Sequence, residues 1–368
     1  MKLTVSRETL LGQLGIAVRG TSTRSAIQTL AGVMVRVDDH RAELQATDME
    51  LSVRVPLQVT ESTAGALVLP GRLLLDVVRS LPRDELSLTY RSTEQDVELI
   101  SGTAKFHLRT LPPEDFPKLP DAPADAVVVP APALIDTIGR VTRAASRDET
   151  RPHLTGVLVS AADRELRMVA TDSYRLSVKE TTLPEPLTGS LEVNVPARTL
   201  QELSRIATAR GADRIEVAAL ENQVVFTVDG VVLSSRLVEG RFPNYKQLLP
   251  EAYEHELQIN RGELLDVVRR ISLLAQKNAP LRLHFTEGSL TVSAQTPDVG
   301  EASESLPVPF GGDSLEIGFN PEFFRDGLES AESDDLLLKL ISPLRPGLIQ
   351  SGEGGGFLYL VMPIRLNV

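Results

Sequence analysis

Several arginines of the sequence recur at intervals of seven residues, and their spacing suggests a chemical role. Seven residues is close to two turns of an α-helix, so the members of each set lie on one helix face. Guanidinium groups in such a row can bind successive phosphates of a nucleic acid without contacting its bases. The ordinary alternative is that the arginines simply form the solvent-exposed face of an amphipathic helix. The sets are Arg72 with Arg79, Arg198 with Arg205, and Arg140 with Arg143 and Arg147.

Basic and acidic residues are distributed unequally between the predicted helices and the rest of the chain. Apolar spacings such as Leu134, Ile138 and Val141 predict amphipathic helices over residues 7–20, 71–80, 131–147, 197–210, 261–277 and 321–329. These segments hold 15 Lys and Arg against 9 Asp and Glu, while the rest holds 23 against 41, in a chain of net charge −12. Basic helices favour contact with a duplex backbone. An aromatic content of 4% with no Trp disfavours stacking on single-stranded bases.

Residue patterns of catalysis and metal binding are mostly missing. The sequence has no G-x-x-x-x-G-K-[ST] phosphate loop, no H-E-x-x-H and no G-x-S-x-G. The five histidines are scattered without ligand spacing, and "SGEGGGF" at 351–357 is typical of a turn between strands. Asp48 and Asp172 follow predicted strands, where Asp more often bonds its own turn than a metal. We therefore expect no enzymatic activity, no metal and no other cofactor.

The length of 368 residues is enough for two or three domains with cores of their own. There is no cysteine, which excludes disulfides and thiolate metal sites. The first residues have no apolar segment followed by a small-residue cleavage site, and no run approaches the roughly 20 apolar residues of a membrane span. These features predict a cytoplasmic protein with no membrane partner.

The same order of predicted strands and helices occurs three times along the chain, at offsets of 124 to 130 residues. Each copy has a strand running into a helix, two strands around a turn, a second helix entered through Pro or Asn, and a closing hairpin. This order predicts an α+β fold of three repeated domains, each with two helices packed on antiparallel sheet, over residues 1–121, 122–250 and 251–368. The stretches "ATDMELSV" and "ATDSYRLSV" show the repeat, and Thr-Asp predicts a shared turn. Only the second copy contains "SYRL".

Three motifs resemble the bacterial sliding clamp family, the beta subunit of DNA polymerase III. They are "ATDSYRLSV", "RFPNYKQLLP" and the terminal "VMPIRL", and the resemblance extends in order over essentially the whole chain. It implies a homodimer that forms a closed six-domain ring around duplex DNA, held without sequence preference. Such a ring is a processivity factor with no chemistry of its own. The implied partners are the replicative DNA polymerase alpha subunit, the clamp loader, repair polymerases and other clamp-motif proteins.

The resemblance also implies one peptide-binding groove in each chain, between the second and third domains. A slot for a leucine- or phenylalanine-bearing peptide would be lined by Leu176, Leu248, Val361 and Met362, and its polar rim would be formed by Arg175 and Arg365. The corresponding groove positions are Leu154, Thr171, Ser173, Tyr174, Arg175, Leu176, Pro243, Gln247, Leu248, Leu344, Pro346, Val361, Met362, Pro363, Ile364, Arg365 and Leu366.

The same correspondence implies where DNA is contacted. The implied residues are Arg24, Arg72, Arg79, Arg147, Arg151, His153, Arg198 and Arg205. Better-known clamps often have Gly-His where this chain has Ser173 and Tyr174, so Tyr174 is expected to reshape the slot. Asn367 and Val368 are expected beside the groove.

Two other functions stay open from the sequence. A diverged or drug-resistance copy of the clamp would act mainly as a peptide-binding scaffold, and its arginine face would then be dispensable. An enzyme on a repeat scaffold would need a metal or cofactor site that the motifs do not supply.

Overall fold

Helices and antiparallel sheets alternate along the chain. A computed structural model describes residues 1–38, 41–82, 84–275, 279–352 and 355–366. Three helices continue into a single 3₁₀ turn, at Val18–Gly20, Thr142–Ala144 and Ser272–Leu274. The α-helices are α1 (Arg7–Ala17), α2 (Gly71–Ser80), α3 (Ala131–Val141), α4 (Ala197–Arg210), α5 (Arg261–Ile271) and α6 (Pro321–Ser330).

The strands follow the three predicted repeats. In residues 1–121 they are β1 (Lys2–Ser6), β2 (Gly32–Asp38), β3 (Arg41–Thr47), β4 (Leu51–Leu57), β5 (Glu61–Ser62), β6 (Gly65–Pro70), β7 (Glu85–Arg91), β8 (Asp96–Ser101) and β9 (Ala104–Arg109). In residues 122–250 they are β10 (Val127–Pro130), β11 (Gly156–Ala162), β12 (Glu165–Thr171), β13 (Arg175–Thr182), β14 (Leu191–Pro196), β15 (Arg214–Ala219), β16 (Gln223–Val228) and β17 (Val231–Arg236). In residues 251–368 they are β18 (His255–Asn260), β19 (Leu281–Thr286), β20 (Ser289–Thr296), β21 (Gly300–Pro307), β22 (Leu315–Phe319), β23 (Asp335–Leu340), β24 (Gly347–Ser351), β25 (Phe357–Val361) and β26 (Pro363–Ile364).

The chain divides into two compact units, and the division cuts through the central repeat. The first unit contains Met1–Ala131 and Glu202–Leu237. Its sheets have the strand orders β5-β1-β7-β8-β9 and β10-β15-β16-β17-β4-β3-β2-β6. In the second of these sheets, β4 pairs with β17, so strands of residues 1–121 and 122–250 share one ladder. The compact units thus follow shared sheets, and the boundaries predicted at 121 and 250 stay predictions.

The second unit contains Pro132–Gln201 and Val238–Val368. Its sheets have the orders β14-β11-β12-β13-β25-β24-β23-β18 and β21-β20-β19-β22-β26, with antiparallel neighbours. Here β13 pairs with β25, which joins strands of residues 122–250 and 251–368 in the same way as the β4–β17 pair does in the first unit. This junction positions the predicted groove.

Side-chain caps and apolar stripes explain the helices. The Ser6, Asn260 and Asn320 side chains accept a backbone N–H at the start of α1, α5 and α6, which satisfies a donor that the first turn leaves open. Leu10 and Leu14 of α1 are fully buried, one helical turn apart, where α1 packs on β3 and β4. The predicted class, with helices on antiparallel sheet, is confirmed.

Three predicted helices are too long, and the excess of basic residues on the helices is smaller than predicted. The α-helical parts of 7–20, 131–147 and 261–277 end at Ala17, Val141 and Ile271. Beyond α3 the apolar pattern continues because Ala144 and Ala145 are buried in the connection to the next strand. Of the 15 basic residues, Arg19, Arg143 and Arg147 lie outside the α-helices and Lys277 outside the described residues. This leaves 11 against 9 acidic ones.

Candidate functional site

The turn between β12 and β13 lies within the predicted groove and is built by Thr171 and Asp172. The Thr171 hydroxyl donates to the Arg175 carbonyl at 2.7 Å. Oδ1 of Asp172 accepts the backbone N–H groups of Tyr174 at 2.9 Å and Arg175 at 3.0 Å. Ser173 has a φ of 79°, in the left-handed region, and its N–H donates to the Thr171 hydroxyl. The turn is therefore fixed by its own side chains, and it leaves Tyr174 60% exposed.

The first repeat builds the same turn between β3 and β4. The Thr47 hydroxyl donates to the Leu51 carbonyl at 3.0 Å, and Oδ1 of Asp48 accepts the N–H groups of Glu50 and Leu51. Met49 has a φ of 79°, as its counterpart in the second repeat does. The predicted Thr-Asp turn is therefore confirmed, and both Asp carboxylates bind backbone amides, as turn-forming Asp residues do.

The Arg175 side chain is buried beneath the turn, with 8% of it exposed. Its Nε donates to Asp172 Oδ2 at 3.0 Å, and its Nη1 donates to Asp326 Oδ2 at 2.6 Å. The guanidinium also stands 4.2 Å from the centre of the Phe323 ring. The prediction that Arg175 forms an exposed rim of the groove is wrong, because the two carboxylates hold the guanidinium inside.

The protonation of this cluster is fixed by its charges. Burial by itself lowers the pKa of Arg175, but the nearby Tyr359 and the two carboxylates outweigh it, so the pKa lies above its ordinary value. Burial raises the pKa of Tyr359, whose hydroxyl donates to the Phe323 carbonyl at 2.9 Å. Arg175 is therefore a cation and Tyr359 a neutral donor at any physiological pH.

Strand pairing brings the "VMPIRL" segment to the same turn. β13 and β25 align so that Arg175 lies opposite Val361. The next residue, Met362, donates its backbone N–H to the Tyr174 carbonyl at 2.8 Å. The turn and the C-terminal segment, which the sequence analysis assigned to one groove, are adjacent in the structure.

Several predicted groove residues are core residues in this structure. Leu176 is 2% exposed and packs in a cluster with Val169, Val178, Tyr245 and Leu360. A side chain in such a cluster supports the floor of a groove but has little surface to offer a ligand. The predicted groove residues that are buried in this way are Leu154, Thr171, Arg175, Leu176 and Val361.

The remaining predicted groove residues are accessible. Tyr174, Leu248 and Leu344 are large apolar side chains with exposed fractions of 60%, 42% and 62%. Exposed apolar side chains of this size mark interaction surfaces when they lie together. The half-buried residues are Pro243, Pro346, Met362, Pro363, Ile364 and Leu366, and the exposed polar ones are Ser173, Gln247 and Arg365. Asn367 and Val368 lie outside the described residues.

A separate cleft of about 560 Å³ opens beside β14 and residues 240–246. Pro243 is the predicted groove residue that lines it, together with Phe242, Tyr245 and Asn194. The cleft therefore shares Pro243 with the predicted groove and is lined mainly by other residues.

Arginines of the first unit gather between α1 and α2. A cleft of about 480 Å³ there is lined by Arg19, Arg72 and Arg79. In the same unit Glu202 bridges Arg19, at 3.3 Å, and Arg205, at 2.6 Å. Arg19 was missed by the sequence analysis because it has no arginine seven residues away on its own helix. The Arg19 and Arg205 side chains are 47% and 58% exposed, whereas the Glu202 side chain is 12% exposed, so a phosphate can reach both guanidinium groups from the solvent side.

The predicted DNA-contact residues of the second unit differ in exposure. Arg147 and Arg198 are exposed. Arg151 is half-buried, with Nε 3.0 Å from Asp148 Oδ2 and Nη1 donating to the Ser173 hydroxyl at 3.0 Å. Arg151 is therefore hydrogen-bonded to the Thr171–Arg175 turn, called the partner turn below. His153 is half-buried, and in the first unit Arg24 is exposed.

Over residues 1–38, 41–82, 84–275, 279–352 and 355–366, no three His, Asp or Glu side chains are grouped closely enough to hold a metal ion. No helix there has both the length and the apolar character needed to span a membrane.

Models of the three domains of the DNA polymerase III beta subunit match the chain in order. The N-terminal domain matches residues 1–120, the central domain 128–244 and the C-terminal domain 246–365. The chain belongs to the bacterial sliding clamp family. The predicted family is thus confirmed.

Individual clamps resemble the chain over its full length. It is 31% identical to the beta sliding clamp of Streptomyces coelicolor, with 100% of both chains covered, and 31% identical to that of Staphylococcus aureus, with 99% covered. The solved DNA polymerase sliding clamp of Bacillus subtilis matches with a TM-score of 0.91 at 28% identity, covering 100% of both chains. The Pseudomonas aeruginosa beta subunit matches with a TM-score of 0.90 at 27% identity, again over 100% of both.

Helix α6 of this sliding-clamp chain supplies residues that the sequence analysis missed. Phe323 faces the Arg175 guanidinium and Asp326 binds it, although Asp326 is 151 positions away in sequence. No local pattern marks either residue, because both belong to an ordinary amphipathic helix. Only the shared sheet of β13 and β25, with α6 packed on β25, brings them together.

Proposed function

We propose that this protein is the processivity factor of DNA replication, a ring-shaped homodimer that encircles duplex DNA and tethers the replicative polymerase. One observation carries the proposal. All three clamp domains match in order along the chain, and the partner turn is bonded to the "VMPIRL" segment. The protein acts in the cytoplasm as a mechanical tether and performs no reaction itself.

The duplex is held through its backbone. Exposed arginines such as Arg72, Arg79 and Arg198 offer charge without the planar base-reading contacts of a sequence-specific surface. Since the ring topologically prevents escape, individual contacts can stay weak enough for sliding. This role agrees with a chain whose net charge is −12, because repulsion elsewhere keeps DNA off the outer surface.

The dimer forms between two sheet edges of unlike charge. Strand β9 is an edge of its sheet and exposes Lys105, His107 and Arg109, while β21 is an edge strand that exposes Glu301. Unpaired edges of this kind accept another strand. Leu273, in the 3₁₀ turn that packs on β21, is 82% exposed and would be covered by the second copy.

The groove takes short linear peptides of the replicative polymerase alpha subunit, the clamp loader and repair polymerases. The exposed Tyr174, Leu248 and Leu344 provide apolar contact area, and Met362 lies beside the turn. Arg365 is the exposed cation at the end of the segment. An apolar peptide with an acidic or carboxylate end fits this arrangement.

Replacing Met362 and Arg365 together by Ala should weaken binding of a polymerase tail peptide about tenfold or more, as expected for loss of an anchor and a rim charge. Titration by fluorescence anisotropy measures this. The matched control is Met49→Ala with Arg236→Ala, since Arg236 N–H donates to the Glu50 carbonyl in the equivalent turn of the first repeat. An unchanged affinity in the first variant, or an equal loss in the control, would remove the groove assignment.

Retention on DNA tests the proposed function directly. Protein loaded on a nicked circular plasmid should stay bound through gel filtration and should leave after the plasmid is linearised, because a ring can slide off an end. Leu273→Asp should place a charge in the dimer contact, give a monomer by light scattering and abolish retention. Leu220→Asp, also at an exposed leucine but outside the predicted groove, should leave both unchanged. Equal retention on circular and linear DNA would rule out encirclement.

A further inference from the structure

Asp326 of α6 stands at the junction of two sets of ion pairs. Its side chain is 12% exposed, which makes it one of the more deeply buried carboxylates in the second unit. Oδ2 lies 2.6 Å from Arg175 Nη1, and Oδ1 lies 3.5 Å from Arg143 Nη1. A buried carboxylate depends strongly on such cations, because it has lost its hydration. Asp326 is therefore shared by two arginines that lead to different parts of the molecule.

The first set leads to the partner turn. Arg175 reaches from Asp326 to Asp172, and Asp172 in turn accepts the N–H groups of Tyr174 and Arg175. The turn holds Ser173 in the left-handed region, which is unfavourable for a residue with a side chain. The geometry of Tyr174 thus depends on how firmly Arg175 is held, although Arg175 is too buried to be a major peptide contact itself.

The second set of ion pairs leads to two half-exposed arginines, Arg143 and Arg269. Arg143 Nη1 lies 2.5 Å from Glu329 Oε2, and Arg269 Nη2 lies 3.1 Å from Glu329 Oε1. Burial by itself raises the pKa of Glu329, but the hydrogen bonds from both arginines outweigh it and keep the pKa below its usual value. The side chains of Arg143 and Arg269 are 47% and 52% exposed, so a phosphate can reach both.

We propose that Asp326 is a positioning residue for the partner groove and couples it to DNA held by the clamp. When a phosphate draws Arg143 away, Asp326 is left to Arg175 alone and holds it more firmly. Arg175 then fixes Asp172 and the turn that presents Tyr174. DNA inside the ring therefore raises the affinity of the groove for partner peptides. This inference rests on the proposed function, since it needs DNA beside Arg143.

Peptide affinity with and without DNA tests the coupling. A fluorescein-labelled peptide from the tail of the polymerase alpha subunit is titrated into the free dimer and into the dimer loaded on nicked circular plasmid. We expect about fivefold tighter binding on DNA, at the lower end of ordinary coupling between sites. Equal affinities on and off DNA would overturn the proposal.

Two variants separate positioning from a purely structural role. Asp326→Asn should bind the peptide more weakly off DNA and lose the DNA effect, since Arg175 no longer has a shared acid. Arg143→Gln should bind off DNA with the affinity that the wild type shows on DNA, with no further gain, because Asp326 is already left to Arg175. This variant also keeps the test decisive if Asp326→Asn does not fold. A wild-type DNA effect in Arg143→Gln would overturn the proposal.

The control removes an acid of α3 whose ion-pair partner is Arg140 and neither Arg143 nor Arg175. Asp136→Asn takes the partner from Arg140, at 2.8 Å, and should leave the fivefold effect intact. Failure of the proposed function gives a different result from failure of the coupling. If the proposed function fails, the wild type is not retained on circular DNA or does not bind the peptide at all. If only the coupling fails, the wild type is retained on circular DNA and binds the peptide with the same affinity on and off DNA.

Discussion

Arg175→Ala should lower the free energy of unfolding by about 3–5 kcal/mol, the usual effect of removing one partner from a buried ion pair. The loss is large because Asp326 and Asp172 both direct an oxygen at the guanidinium, at 2.6 and 3.0 Å. Without the cation, Asp326 is a buried charge whose nearest other cation, Arg143, is 3.5 Å away. The measurement is the denaturant midpoint of the transition that reports on the second unit.

The matched control is Arg282→Ala, which removes a half-exposed pair with Glu316 at 3.2 Å in the same unit. Such pairs contribute about 0–1 kcal/mol. Adding Asp326→Ala to Arg175→Ala should recover part of the loss, since the unpaired charge goes as well. If the double variant loses as much as the two single changes together, the loss is due to packing and the ion-pair explanation is wrong.

Reversing the charge of the helix arginines predicted to contact DNA should slow loading onto circular DNA about ten- to hundredfold at low salt, because each lost phosphate contact also removes counterion release. The difference should shrink as salt rises, since the wild type itself then binds DNA less. Salt-dependent loading rates measure the effect. The residues changed to Glu are Arg72, Arg79, Arg198 and Arg205.

A variant with the same change in net charge provides the control. Loading should be nearly unchanged when arginines of the sheets are changed to Glu instead of arginines of the helices. The sheet arginines face away from DNA in a ring lined by helices. The control residues changed to Glu are Arg36, Arg41, Arg164 and Arg282. If the helix arginines can be reversed without effect while peptide binding persists, a peptide-binding scaffold that is not loaded on DNA becomes the better description.

Local structure was predicted well where its interactions are local in sequence. The Thr171–Arg175 turn is closed by hydrogen bonds spanning two to four residues, and the Thr47–Leu51 turn repeats them, so the residue types alone specify the turn. Helix starts were also predictable, because Asn260 and Asn320 cap the helices that follow them directly. The ends of α2 and α4 were predicted at the observed residues, but the end of α3 was not, because buried residues after α3 continue the apolar pattern.

The adjacency of two parts of the candidate site was predicted, whereas the orientation of their side chains was not. The sequence motifs correctly placed the turn beside the C-terminal segment, as the bond between Met362 and Tyr174 shows. They could not tell which side chains point inward. Leu176 and Val361 alternate with their neighbours along strands, and which face is covered depends on the helices and the residues around Tyr245 that pack there.

The sequence by itself determined the threefold plan, the shared turn, the family and the absence of cysteine chemistry, since each is written in residue types over short spans. Tertiary structure alone decided that Arg175 is a buried ion-pair residue and not a groove rim. Its partner Asp326 is 151 positions away and is brought close by the pairing of β13 with β25. Whether a charged group is buried depends on the residues that surround it in space. The sequence neighbours of a helix residue such as Asp326 do not indicate which residues those are.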